Sequence, residues 1–518
     1  MEGLRKFPFP FRNMLAVLSD TDLSSKAEFE GMHRFMNTEA DCGPLGRGVG
    51  LDVGDTFWMG TVGRDDDGSP PSEDDERCWR YWWSDTRREI HAAAMRRYIA
   101  AGWIDATHAL FPFRKPRTAF TREQVRDVLD EWRRIGFSPL VWIDHARNPW
   151  NVATYRTAIL ARDAGAGDTT LLIAPRPRAD GSPGSLARLE RLGPGAALAF
   201  GATREVARLG DAPPVASQEP RAVALPLTGP LAHAYPAGTL VSVHPDAKPV
   251  EGAVPGSPFY CVDLAVAAGI RVFWTNLAPD LQAATERGRR GFDTTLAPLA
   301  LPDGTSVWGL RRSYEYGQTN NTWLGLCIRR ALRGDELGGG RPMDPDTYMI
   351  ISTHLGYADA DGVPDDDYTI EDDVWTHNGG RWFTEDTVAA FRELRAAQDE
   401  GRVLVANTTR LVRYNLAHDM LTRHALTEHG YTVEDHAGAE RFVVHAIHDD
   451  LFGSTTPSLD DLRGITFYCH DPAAAEIHIG GAAIPRAELQ ANGPDDTGRP
   501  SIGVRWHRFD RTDHTARQ

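Results

Sequence analysis

Three side chains that could share a divalent metal ion, Asp22, His108 and His145, each follow a short apolar run of the sequence. One carboxylate and two imidazoles form a ligand set that accepts zinc, iron, cobalt or nickel, and such a set leaves positions for water or substrate. Because water on such a metal becomes a nucleophile near neutral pH, the set is typical of a hydrolase. The sequence therefore predicts a divalent-metal site, with zinc as the expected metal.

Two further side chains could move protons beside that metal. Hydrolysis needs a base that takes a proton from water and an acid that protonates the leaving group. We assign Asp20 as the base and His354, which follows another apolar run, as the acid. The alternative for Asp20 or Asp22 is a helix cap, since a helical pattern follows both residues directly.

Aromatic and cationic side chains in the same segments could bind a sugar ring. Trp58 and Trp274 offer flat apolar faces, and Arg410 offers a cation. We assign all three to substrate binding, although tryptophans in such a chain also pack in cores. A carbohydrate or a sugar-derived small molecule is the expected partner.

Apolar strands alternate with helical segments over most of the chain, and the candidate residues lie where strands end. Asp20 follows the run "NMLAVLS", His145 follows "LVWID", and His354 follows "YMIIST". In parallel sheets and barrels, the carboxyl ends of the strands meet at the same edge, where ligands bind. We therefore expect the candidate residues to share one site.

This alternation is interrupted twice. Between residues 156 and 250, short β-type runs are separated by glycine and proline, which predicts a small β-rich module inserted into a loop. From 429 to 518, apolar and polar residues alternate between turn signals, which predicts a β-sandwich. The expected fold class is α/β: a distorted (β/α)7-type barrel formed by residues 1–155 and 251–428, with the insert and the C-terminal sandwich attached.

Composition narrows the function classes. The net charge of −16 argues against nucleic acid or an anionic membrane as the main partner, because both would be repelled. No apolar stretch approaches the roughly 18 residues of a membrane span, and the first residues lack the apolar core of a signal peptide. The five cysteines lie far apart with no C-x-x-C pair, which favours reduced thiols. A cytoplasmic location is therefore expected.

Seven ordered motifs resemble a divergent bacterial branch of the polysaccharide deacetylase family, the NodB-homology or carbohydrate esterase 4-like proteins. They are "SDTD" (19–22), "FEGMHRFMNT" (29–38), "GRGVGLDVGDTFWM" (46–59), "IDATHALFPF" (104–113), "VWIDHARN" (141–148), "DLAVAAGIRVFWTN" (263–276) and "ISTHLGY" (351–357). The resemblance implies a distorted barrel, a divalent metal and hydrolysis of an N-acyl or O-acyl group on an amino sugar. By position, it implies one of Asp20 and Asp22 as the catalytic base and the other as the metal-binding acid, His108 and His145 as metal ligands, and His354 as the proton donor.

Two other functions stay open. The family carries a second histidine four residues after the first, whereas Pro112 stands four residues after His108. This departure favours a catalytically inactive barrel that binds glycans or assists assembly. The other alternative is a glycoside hydrolase on the same scaffold, in which Asp20 pairs with Asp372 or Asp373.

Overall fold

The computed structural model describes residues 3–20, 26–60, 79–83, 87–111, 122–144, 151–152, 156–175, 189–190, 192–200, 203, 205–217, 221–244, 252–257, 259–274, 295–301, 303–310, 314–315, 321–333, 347–353, 383–436 and 438–516.

Short strands and helices alternate in the part of the chain before the insert. The elements are β1 (Leu4–Arg5), β2 (Asn13–Ser19), α1 (Lys26–Asn37), β3 (Gly54–Asp55), β4 (Trp82–Trp83), β5 (Arg88–Glu89), α2 (Ala92–Ala101), β6 (Thr107–His108), α3 (Arg122–Ile135) and β7 (Val141–Ile143). Helix α3 shows why the sequence folds this way. Its buried side chains Val125, Val128, Leu129 and Trp132 recur every three or four residues, and Gly136 ends it at a φ of 70°.

The insert consists of strands alone in its described residues. They are β8 (Arg156–Leu160), β9 (Thr170–Pro175), β10 (Ala197–Phe200), β11 (Glu205–Arg208), β12 (Val215–Ala216), β13 (Val223–Pro226) and β14 (Leu240–His244). All seven pair antiparallel in one sheet, in the order β11-β10-β14-β8-β9-β13-β12. This sheet packs around an apolar cluster made of its own residues, from Ala158 to Val243.

Alternation of strands and helices returns after the insert. The elements are α4 (Val262–Ala267), β15 (Val272–Trp274), β16 (Leu296–Ala300), β17 (Ser306–Leu310), β18 (Tyr314–Glu315), α5 (Asn321–Arg333), β19 (Tyr348–Thr353), α6 (Glu385–Asp399), β20 (Val403–Val405) and α7 (Thr408–Arg423). Helix α7 begins where the side chain of Asn407 accepts a hydrogen bond from the Arg410 amide.

Two mainly parallel sheets hold most of these strands. Sheet 1 has the order β18-β19-β2-β20, and β3 also pairs with β2; every pairing in it is parallel. Sheet 2 has the order β16-β17-β15-β7-β6, with β16 its antiparallel edge. A parallel bridge joins Asp55 of sheet 1 to Ile104, just before β6 of sheet 2, and the His108 amide of β6 donates to the Phe57 carbonyl at 3.3 Å, so these contacts connect the two sheets.

Strand β2 is buried on both faces. Leu15 and Val17 belong to the apolar cluster that includes residues of α1, α5 and α6. Met14, Ala16 and Leu18 point to the other face and share a cluster with residues of sheet 2. The continuous apolar run of β2 is therefore explained by burial on two sides, as in parallel sheets covered by helices.

The remaining elements form the C-terminal region. They are β21 (Tyr431–His436), β22 (Ala439–Val444), β23 (Ile447–Asp449), β24 (Gly453–Thr455), β25 (Thr466–Tyr468), β26 (Glu476–Ile479), β27 (Ala482–Ala483), β28 (Leu489–Asn492) and β29 (Ser501–Val504). They make two four-stranded sheets, β1-β25-β29-β28 and β21-β22-β26-β27, and the hairpin β23-β24. The N-terminal strand β1 thus belongs to a C-terminal sheet.

Arg5 attaches β1 to its surroundings. Its buried guanidinium forms an ion pair with Asp495 at 3.1 Å and donates hydrogen bonds to the carbonyls of Phe7, Pro10 and Phe11.

Within the described part of the chain, no helix has the length and apolar character needed to cross a membrane. The four described cysteines, Cys42, Cys261, Cys327 and Cys469, form no disulfide.

Candidate functional site at the strand ends

The strand registers bring several carboxyl ends to one edge. In sheet 1, Ser19 lies opposite Asp55 of β3 and opposite Thr353 of β19. In sheet 2, His108 of β6 lies opposite Ile143 of β7. Since the Asp55–Ile104 bridge joins the sheets, the ends of β2, β3, β6, β7 and β19 are neighbours.

Asp20, Asp55 and His108 form a buried group at this edge. Their exposed fractions are 5%, 1% and 1%. Burial raises the pKa of Asp55 well above its ordinary value; the Asp20 carboxylate raises it further, whereas His108 lowers it. These mutual effects place the three ionisable groups within electrostatic reach of one another. We call Asp20, Asp55 and His108 the strand-end group.

His33 and Asn37 of α1 orient the Asp55 carboxyl. The Asn37 amide donates to the Val53 carbonyl at 2.8 Å, so its oxygen faces His33 and accepts from Nδ1 at 2.9 Å. His33 Nε2 then carries the lone pair, and it lies 3.3 Å from Asp55 Oδ2. Burial lowers the pKa of His33 to about 3, so the ring is neutral. The arrangement fits a protonated Asp55 that donates to His33, in agreement with its raised pKa.

Backbone and aromatic contacts fix the ring of His108. Its Nδ1 lies 3.2 Å from the Ile143 carbonyl, so Nδ1 carries the hydrogen and donates it. The lone pair is then on Nε2, the nitrogen with which such a histidine binds a metal. The ring of Trp58 packs against the same imidazole, with 4.3 Å between the centroids.

Three of the sequence-predicted site residues, Asp22, His145 and His354, lie outside the described residues. Asp20 and His108 are brought together, as expected for a shared site. Trp58 is fully buried and contacts His108, and Trp274 is 8% exposed at the end of β15. Their assignment to substrate binding stays a prediction.

Arg410, the third residue assigned to substrate, is ion-paired inside the protein. Its guanidinium lies 2.6 Å from the Asp52 carboxylate, which is 3% exposed. Next to this pair, Asp105 accepts a hydrogen bond from the Thr409 amide at the start of α7, at 2.6 Å. These contacts connect α7 to the segment that carries Asp55, and the assignment of Arg410 to substrate binding stays a prediction.

The buried carboxyl of Asp105 makes the folded chain less stable as the pH rises. Burial raises its pKa to about 7, and the neighbouring Asp52 and Asp55 raise this pKa as well. The Thr409 amide and Arg410 lower it. Between the ordinary value near 4 and pH 7, the folded chain keeps a proton that the unfolded chain has released. Stability therefore falls as pH rises through this window.

We expect Asp105→Asn to remove this loss of stability at high pH, because asparagine does not ionise. At pH 8 the variant is expected to be more stable than the native chain by about 2 kcal/mol, and the difference is expected to vanish near pH 4. Urea unfolding at the two pH values checks this. An Asp105→Asn chain that is less stable at pH 8 would show that the ionised carboxylate supports the fold.

Asp55 and His33 were not among the sequence-predicted site residues. Asp55 lies on a strand of two residues, too short for an apolar run to mark it. His33 lies on the buried face of α1 and resembles a core residue. The available signals were the pair Gly54-Asp55 within "GLDVGDTFWM" and the spacing of His33 and Asn37, four residues apart on one helix face.

The chemistry of the strand-end group fits a divalent cation, since it offers one imidazole nitrogen and two carboxyl groups, and a carboxyl group loses its proton when it binds a metal. Among the described residues, however, three ligand atoms lie within 4.8 Å of one another only at His424, His448 and Asp450, in the C-terminal region. A compact ligand set at the strand ends would therefore need Asp22 or His145 as well.

Comparison with protein-family models finds no match for this chain, and comparison with curated proteins finds none either. The resemblance to polysaccharide deacetylases therefore stays a prediction from the motifs.

Proposed function

We propose that the chain is a metal-dependent hydrolase that removes an acyl group from an amino sugar or a glycan-related substrate. The observation that carries this proposal is the buried strand-end group, in which two carboxyls and an oriented histidine from three strands meet. Buried ionisable groups at the carboxyl ends of parallel strands are candidates for chemistry in α/β proteins.

In this proposal, His108 Nε2 and the ionised carboxylate of Asp55 would hold a divalent cation, together with Asp22 and His145. The cation would lower the pKa of water and polarise the substrate carbonyl. Asp20 accepts the proton of the attacking water, as proposed from the sequence. Asp55, which holds a proton toward His33 in the absence of the cation, would release that proton when the cation binds. Water adds to the acyl carbon, the bond to nitrogen or oxygen breaks, and His354 protonates the leaving group.

The proposal includes the distorted (β/α)7-type barrel and a cytoplasmic location. The parallel pairings, the Asp55–Ile104 bridge and the apolar cluster shared by sheets 1 and 2 support the barrel. The wide spacing of the five cysteines, with no C-x-x-C pair, is the basis for the proposed reducing compartment.

One observation favours the second candidate, an inactive barrel that binds glycans. In the described part of the chain, the strand-end group does not bring three ligand atoms within 4.8 Å of one another. A chain of this type would bind glycan after metal removal and show no turnover.

Metal content and acyl release test the proposal together. Untagged native protein and His108→Ala are compared by plasma mass spectrometry, and acetate release is then screened on acetylated amino sugars. We expect His108→Ala to lose about one metal per chain and to lose turnover by at least about a hundredfold. His445→Ala is the control, because that half-buried histidine contacts Thr432 in the C-terminal region. Equal metal content and no turnover, with saturable glycan binding, would favour the second candidate.

A further inference from the structure

A second group of metal-ligating side chains lies far from the strand ends. His424, His448 and Asp450 place one ligand atom each within 4.8 Å of the others. His424 follows the last residue of α7, whereas the strand-end contacts of α7 involve its first residues. Since α7 has 16 residues, these two places are about 24 Å apart along the helix. We call these residues, with His429, the histidine cluster.

Secondary structure fixes two of the three ligands. The His424 amide donates to the Met420 carbonyl at 3.0 Å, which closes the last turn of α7. His448 lies in the hairpin β23-β24, directly opposite Ser454. Asp449 stabilises that hairpin, because its carboxylate accepts hydrogen bonds from the Leu451 amide and the Trp308 indole. The cluster therefore connects a helix end to a hairpin that is held in place independently.

Neighbouring groups orient the ligands. Arg423 contacts Asp450 Oδ2 at 2.6 Å, while Oδ1 lies 3.6 Å from His424 Nε2. Two ligands of a tetrahedral zinc ion are about 3.3 Å apart, close to this separation. Nδ1 of His448 is hydrogen-bonded to the Ser454 hydroxyl at 2.7 Å, so we assign Nε2 as its ligand nitrogen. Such outer partners are typical of metal-binding histidines.

An independent observation points to a ligand. His424 Nε2 is inaccessible to solvent and has no hydrogen-bond partner among the described residues. A buried nitrogen without a hydrogen bond is unfavourable, and coordination to a cation would satisfy it. The nitrogen faces the nearby carboxylate oxygen Oδ1 of Asp450, which is suited to the same cation.

His429 lies beside the three ligands and is the candidate for a fourth. Its ring centroid lies 5.2 Å from that of His448 and 6.2 Å from that of His424, and its side chain is half-exposed. Three imidazoles and one carboxylate make a closed tetrahedral set of the kind found in structural zinc sites. We propose that the histidine cluster binds one zinc ion, which joins the end of α7 to the hairpin β23-β24.

Zinc titration of the full-length apo protein tests this site. Zn²⁺ is added in competition with a chromogenic chelator to the native chain, to His448→Ala and to Asp450→Asn. The native chain is expected to bind one more zinc ion than His448→Ala, and Asp450→Asn is expected to bind that ion at least about tenfold more weakly. His470→Ala is the matched control, since that side chain is 93% exposed and its ion pair is with Glu440, outside the histidine cluster.

Thermal unfolding gives a second readout that needs no activity. Zinc is expected to raise the unfolding temperature of the native chain and of His470→Ala by several degrees more than that of His448→Ala, which retains only the strand-end site. Equal zinc binding and equal shifts in all variants would overturn the proposal. His108→Ala measured in parallel separates the two metal proposals, because each variant removes a different ion.

Discussion

Replacing Asp55 with asparagine is expected to lower turnover at least about a hundredfold while the fold is retained. An asparagine oxygen can still accept from the Thr56 amide, as Asp55 Oδ1 does at 2.7 Å. Its amide can donate to His33 Nε2 in place of the carboxyl proton. The variant therefore reproduces the protonated state of Asp55 but can neither take up a proton nor carry charge, and loss of such a group lowers rates by this factor or more.

Acetate release from the substrate found in the screen measures this effect, and urea unfolding checks the fold. Asp303→Asn is the control, because Asp303 is also buried, at 5% exposed, but lies in the turn between β16 and β17. Turnover at the native level in Asp55→Asn would remove Asp55 from the proposed chemistry, even if His108→Ala were inactive.

Gly54→Ala is expected to destabilise the chain by about 3 kcal/mol, because a methyl group at this position has no room. The new Cβ would overlap the carboxylate of Asp105 and lie 3.0 Å from the Cβ of Asn407. Asp105 and Asn407 both hydrogen-bond to the first turn of α7, so neither can move without disturbing the helix start. The shift would also displace the adjacent Asp55.

Urea unfolding at pH 7 measures the loss of stability. Gly493→Ala serves as the control, because a Cβ at Gly493 would meet no atom within 4 Å and its backbone is compatible with alanine. A Gly54→Ala chain as stable as Gly493→Ala would mean that the β3 segment and the start of α7 can separate without cost.

The sequence pattern predicted strands that are buried on both faces, such as β2. The run at Met14 to Leu18 is continuous and apolar because helices cover one face of β2 and sheet 2 packs on the other. Asp20 could be placed at a strand end in the same way, since the change from apolar to polar residues marks the end of β2, although Asp20 itself is buried.

Other site residues lack a local pattern. Asp55 becomes part of the site through β3 pairing with β2, a contact between residues 36 positions apart that two residues of strand do not reveal. His424 and His448 are likewise joined only by the packing of the β23-β24 hairpin against the end of α7. Clusters of this kind depend on long-range contacts, and periodicity reports only local ones.

The position of β1 has a consequence for how the chain folds. Arg5 and Asp495 are 490 residues apart in sequence, yet they are ion-paired beside the sheet that β1 shares with β25. Closing a loop of that length is entropically unfavourable, so this contact forms late. On the ribosome, β1 must wait for its partner strand until residue 468 has been made. A fragment that starts at residue 429 would lack this edge strand and leave the backbone edge of β25 that pairs with β1 exposed.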